Sequence, residues 1–209
     1  MADLFIIGRW APKCEDFFDI CTESYESFQK SKAELQKIKR RGITEAQDES
    51  VSVAAKMRHH SASTVVFAAL CLEAFIYDYA AAYFTDTHAR KYLQGIDFVS
   101  KWVVIPKLVT GKDFPTEGRA FEHLVKLRKA RNDLVHYKSR PLPTNIKEWE
   151  ELQAETERED DANAVNAYQT VKEVLTELHK LEGRGKWNQW WRYSPTKKRA
   201  KTISKLRQV

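Results

Sequence analysis

The chain's best candidate for chemistry is the run Arg128-Lys129-Ala130-Arg131-Asn132-Asp133-Leu134-Val135-His136-Tyr137. Arg131 offers a planar, permanently charged fork that matches a phosphate. His136 can take or give a proton near neutral pH. Asn132, four residues before His136, shares its helical face and supplies an orienting amide. Together the three suffice for metal-free cleavage of an RNA phosphodiester. Arg131 and His136 are five residues apart, about 140° around an ideal helix at 3.6 residues per turn. A bent Arg stem or a second copy of the helix could complete the site. The same residues have a purely structural use: a His near a helix C-terminus favours the dipole, and an Arg on a partly apolar face often pairs with a buried acid.

Glu73 is the obvious acid for such a pair. It sits in the apolar run Leu72-Glu73-Ala74-Phe75-Ile76, where an unpaired carboxylate would be costly. Arg128 and Arg131 are its expected partners, in a structural ion pair or in an arrangement that orients Arg131. His59, His60, His88 and His123 have no metal-ligand spacing with an acid or Cys. There is no Gly-rich phosphate loop and no nucleophilic Ser motif. No metal and no cofactor are expected.

A second feature lies at the C-terminal end. Net charge is +6, but residues 183–209 carry nine Lys or Arg and no acid, so the rest of the chain is at −3. Lys186, Arg192, Lys197, Lys198 and Arg199 stand among Trp187, Trp190, Trp191 and Tyr193. Bases interleaved with aromatics suit RNA, where cations meet phosphates and rings stack on unpaired bases. The alternatives are a solubilising end, or aromatics that dock on the chain's own body.

These groups need a scaffold, and the composition favours helices. The 209 residues include only 7 Gly and 6 Pro, too few for a many-stranded sheet with tight hairpins. Hydrophobic periodicity places helices over Lys13–Arg41, Val51–Phe84, Phe98–Thr110, Glu117–Ser139 and Ala162–Glu182. Asp97 caps the third and Gly111 closes it, while Pro106 should kink or divide it. Thr116 is the expected cap of the fourth. The acidic stretch from Arg140 to Asn163 reads as a linker with a short helical piece near Trp149. The expected fold is all-α: an antiparallel bundle of four to five helices with a kinked crossing segment. Residues 1–182 would form one domain, and 183–209 a basic aromatic tail.

Cys14, Cys21 and Cys71 make neither a disulfide framework nor a zinc pattern, and read as buried thiols. The opening residues MADLFIIGRW lack the basic start of a signal peptide. Val65 to Phe84 is the most membrane-like stretch, but Glu73 and Asp78 lie within it, so a buried helix explains it better. A cytoplasmic protein without a membrane partner is expected.

Arg131-Asn132 followed by His136 resembles the Arg-Asn-x-x-x-His motif of the HEPN superfamily, on the penultimate core helix where that family has it. Two further landmarks are similar: the Leu72–Ile76 segment, and Lys101-Trp102 through Pro106-Lys107-Leu108 followed by Gly111-Lys112-Asp113-Phe114. The likeness covers residues 51–181 and omits the tail. It implies a helical bundle forming a two-fold homodimer whose motif helices face across a cleft. It also implies metal-independent endoribonuclease activity in a toxin–antitoxin or antiphage setting, with an antitoxin or defence partner. In that scheme His136 is the general base or acid, Arg131 holds the scissile phosphate, and Asn132 orients the phosphate or the His. Glu73 and Arg128 stand behind them. Other HEPN members only bind nucleic acid or a partner protein, and this is the alternative function. A subset of toxins carries His-x-Tyr with a modifiable Tyr. Here Tyr137 follows His136 directly and Lys138 takes the Tyr's place, which departs from that pattern.

Overall fold

A computed structural model describes residues 5–6, 9–10, 12–41, 47–139 and 141–183. The described chain is an all-α bundle of six α-helices. They are α1 (Pro12–Arg41), α2 (Gln47–Phe84), α3 (Asp86–His88), α4 (Phe98–Thr110), α5 (Arg119–Val135) and α6 (Ile146–Glu182). A single π-helical turn, Ala89–Leu93, continues α3. The only strands among the described residues are two antiparallel pieces of two residues each, Phe5–Ile6 and Arg9–Trp10, with Phe5 opposite Trp10.

Side-chain pairs fix the helix directions. Lys32 meets Asp161, and Tyr25 stacks on Tyr168, so α1 and α6 are antiparallel. Ser61 reaches the Asp160 carbonyl, and Tyr79 reaches Glu182, so α2 and α6 are parallel. Arg119 pairs with Glu173 while Asn166 reaches the His123 carbonyl, so α5 runs back against α6. The short α4 crosses over α2, where Trp102 packs against Phe75.

The core lies along α2, with Leu72, Phe75, Ile76 and Tyr79 fully buried against Phe18, Trp102, Leu124, Leu127, Val171 and Leu175. A smaller cluster of Phe28, Leu35, Ile38, Val53, Met57 and Ala164 closes one end. Residues 48–84 are long and apolar enough to cross a membrane, but most of the apolar window is buried inside the bundle. All three cysteines are buried. Burial pushes the Cys21 thiol up to about 12 and Cys71 well above its ordinary value, which leaves both protonated and unreactive.

α4 has the expected bounds: Asp97 Oδ2 accepts from the Val99 and Ser100 amides, and Gly111 closes it at φ 72°. Pro106 is buried within α4 and does not divide it; Thr110 Oγ1 donates to the Pro106 carbonyl at 2.8 Å. α2 stops at Phe84 because Thr85 takes φ 85°, a conformation that a β-branched residue rarely adopts.

Three expectations are corrected. α5 begins at Arg119, with extended Gly118 rather than Thr116 at its cap. It ends at Val135 rather than Ser139: Leu134, Val135 and Tyr137 are exposed, and among the described residues little packing supports a further turn. The acidic stretch is not a linker but the first half of the 37-residue α6. Asn145 Oδ1 accepts from the Glu148 amide, and Glu148 Oε2 accepts from the Thr144 amide and hydroxyl. This reciprocal cap starts the helix, and the acids that follow favour the positive end of its dipole.

Candidate functional site

α2, the start of α4 and the last turns of α5 enclose a cavity of about 190 Å³, lined by Ala69, Glu73, Asp97, Phe98, Arg128, Arg131 and Asn132. Arg131 and Asn132 are adjacent on α5, and Arg131 Nη1 donates to Asn132 Oδ1 at 3.1 Å. Both are half-buried. Among the described residues Arg131 has no carboxylate partner.

The acids in this region are committed elsewhere, against expectation. Glu73 Oε1 accepts from Lys101 Nζ at 2.8 Å, and this pair replaces the one expected with Arg128 or Arg131. The Lys101 side chain is only 8% exposed, whereas that of Glu73 is 41% exposed. A buried ammonium needs its counter-charge more than a half-exposed Arg does, so Lys101 takes the carboxylate. Arg128 Nε instead lies 3.0 Å from Asp97 Oδ1. Burial alone would raise the Asp97 carboxyl, but the Ser100 amide and the Arg128 charge outweigh it and hold it below its ordinary value.

His136 does not join Arg131 in this cavity. It is the residue just past α5, with φ −108° and ψ 34°, and its amide donates to the Asn132 carbonyl at 2.9 Å. The angle expected from an ideal helix therefore does not apply, because the backbone leaves the helix at His136. His136 is exposed, as are the apolar residues near it in the chain: Val135 at 57%, Tyr137 at 77%, Leu142 at 77% and Ile146 at 78% exposure. Lys186, Arg192, Lys197, Lys198 and Arg199 lie outside the described residues.

Sequence reasoning missed Lys101 and Asp97 as parts of this site. Lys101 interrupts the apolar face of α4 beside Trp102 and Ile105, just as Glu73 interrupts α2. Two opposite charges that each break an apolar stripe are a legible signal for a pair. A second charged group was also missed: His123 Nδ1 lies 2.8 Å from Glu173 Oε2, and Arg119 bonds the other oxygen of Glu173. These groups tie α5 to α6 and hold the motif helix in place.

The arrangement can bind an anion at Arg131 and Asn132. It can move protons only where His136 is brought to that anion. No family model, curated protein or solved structure matches this chain.

Proposed function

We propose that this protein is a metal-independent endoribonuclease of HEPN type, with a site made by Arg131, Asn132 and His136 of two copies of the chain. The observation that carries the reading is the state of Arg131: a half-buried guanidinium at a polar cavity, bonded to Asn132 and not neutralised by any described carboxylate. Structural arginines at such depth ordinarily have a counter-charge, and a phosphate would supply one. The resemblance of the Arg-Asn-x-x-x-His run to the HEPN motif supports the same reading. So do the exposed apolar side chains near His136 in the chain, Val135, Tyr137, Leu142 and Ile146, since exposed apolar surface suits association and a second copy there would bring another His136 toward Arg131.

In this mechanism Arg131 neutralises the scissile phosphate and Asn132 holds the orientation of its guanidinium. One His136 takes the proton of the RNA 2′-hydroxyl as the 2′-oxygen bonds to phosphorus. The bond to the 5′-oxygen breaks, and that oxygen receives a proton from a second acid, the other copy's His136. The products are a 2′,3′-cyclic phosphate and a 5′-hydroxyl. The basic tail of residues 183–209 adds salt-dependent affinity for the RNA backbone. A toxin or antiphage role with an antitoxin or defence partner in the cytoplasm follows from the resemblance alone.

The separation of His136 from the Arg131 cavity within one chain favours a second reading, a non-catalytic module that binds nucleic acid or a partner protein. A cleavage assay separates the two. The full chain should cut single-stranded RNA in the presence of EDTA, and His136→Ala should lower the rate by roughly 10²–10⁴-fold. Light scattering should show a dimer. Undiminished cleavage by pure His136→Ala, or a monomer under the assay conditions, rejects the shared site.

A further inference from the structure

Resting on the reading of this site as one that processes RNA, we infer that the cavity beside Arg131 is a subsite for a single guanine base, read by Glu73 on one edge and Arg128 on the other. The cavity holds about 190 Å³, room for a single base. Its walls carry both kinds of group that guanine needs. Guanine alone among the four RNA bases places two adjacent N–H donors, N1 and N2, on one edge and two adjacent acceptors, O6 and N7, on another. A carboxylate accepts from the first pair and an Arg fork donates to the second. Adenine offers only one acceptor beside its amine, and the pyrimidines lack the second edge.

Both groups are held ready, Glu73 by Lys101 outside the cavity lining and Arg128 by Asp97 within it. Lys101 fixes one oxygen of Glu73 at 2.8 Å from the buried side of α4, and no other described residue bonds the Glu73 carboxylate, so Oε2 and the remaining lone pair of Oε1 can accept. Asp97 Oδ1 lies 3.0 Å from Nε of Arg128, on the stem side of the guanidinium, so the fork end can be offered to a ligand. Asp97 is in turn fixed by the Val99 and Ser100 amides. Little side-chain freedom is lost on binding, and such pre-positioning raises affinity. Phe98, half-buried on the same wall, gives a ring on which a base can stack. Arg131 lies next to these groups on α5, so a base seated here would present its own phosphate to Arg131 and Asn132.

The test is binding of the four ribonucleoside 3′-monophosphates to the full chain, followed by ligand-observed NMR and calorimetry, together with cleavage of RNAs that differ only in the base beside a single scissile phosphate. Guanosine 3′-monophosphate should bind roughly five- to hundred-fold more tightly than the other three. Glu73→Gln should erase that preference, because an amide cannot accept from both guanine donors. Arg128→Lys, which keeps the charge but not the fork, should reduce it and serves where Glu73→Gln does not fold. Equal binding of the four nucleotides, or a preference unchanged in both variants, overturns the subsite. Guanine-selective binding without any RNA cleavage would leave the subsite standing and remove the nuclease reading. Cleavage without base preference would do the reverse.

Discussion

Two charged regions of this bundle are built on opposite principles. Along the seam where α1 and the first half of α6 meet, charge faces opposite charge: Lys32 Nζ lies 2.5 Å from Asp161 and Lys39 Nζ lies 2.6 Å from Glu157. Both pairs are partly solvated, and they orient two long helices without enclosing a charge. Around the motif one charge, Lys101, is buried, while Glu73, Arg128 and Asp97 are as exposed as the seam pairs, and among the described residues the pairing is incomplete. Lys101 takes Glu73, Arg128 takes Asp97, and among the described residues Arg131 has only the amide of Asn132. The difference sets different expectations for the two regions. A seam of matched, wet pairs is structural and loses little when one member is removed. A half-buried cation without a counter-charge carries a desolvation cost that packing does not require, and an anionic ligand offsets it.

The contrast is tested most strongly at Arg131. Arg131→Ala should abolish RNA cleavage, a loss of at least 10²-fold if it stabilises transition-state charge, yet leave the melting temperature within about 2 °C of wild type, because no carboxylate is orphaned. A large drop in stability would show that Arg131 has a structural partner and would erase the distinction between the two regions.

Glu73→Ala should do the opposite and act on stability first. It strands the buried Lys101 ammonium, and a loss of roughly 2–3 kcal/mol is expected, near the lower end for a broken buried pair because Glu73 itself is half-exposed. Lys101→Met, which removes the buried charge and keeps the length, should cost less. Urea titrations of the two variants give the comparison, and equal losses would refute the assignment of Lys101 as the group that needs the pair.

Asp160, beside the seam on the same half of α6 but facing Ser61 and Arg58 of α2, is an exception. Its Oδ2 is buried without a hydrogen-bond partner among the described residues, and burial pushes the carboxyl up to about 6, with Arg58 opposing. A carboxyl raised in the folded state above its unfolded value near 3.8 favours the fold when protonated. Its contribution is full below about pH 3.8, falls as pH rises toward 6, and is a constant penalty above that. Asp160→Asn should therefore stabilise the protein at pH 7.5 by roughly 1 kcal/mol, after discounting for partial exposure, with the gain shrinking toward pH 4. A gain that does not change with pH would assign the effect to something other than this carboxyl.

The smallest effect is expected at Lys39→Ala. It breaks a solvated ion pair and should cost about 0.5 kcal/mol or less, disappearing in high salt. A salt-insensitive loss above 1 kcal/mol would place the seam among the buried, structural pairs.

Much of this was legible in the sequence. The apolar periods of Cys14 to Leu35 and of Tyr168 to Leu178, the Asp97 cap and the Gly111 stop are local patterns, set by 3.6-residue geometry and by the donors left open at helix ends. They fix an all-α bundle and the bounds of α4. The Asn145-x-x-Glu148 cap was equally local, but it was hidden by the acids behind it, which resemble a solvated linker when no partner is in view. Lys32 and Lys39, more than a hundred residues earlier, lie across from Asp161 and Glu157 in the first half of α6, partners that a local reading of the acids does not contain.

The Arg131, Asn132 and His136 triad was readable as a list of reactive groups, not as an arrangement. Whether His136 is on the helix depends on what packs against the last turn of α5, and nothing described does. Which cation meets Glu73 depends on the crossing of α4 over α2, which sets Lys101 deeper than either Arg. Sequence by itself determined the elements and the chemical inventory, because helix period and capping act over a few residues. Tertiary structure decided the pairings, because the strength of a charge's need for a partner is set by burial, and burial belongs to the assembled fold.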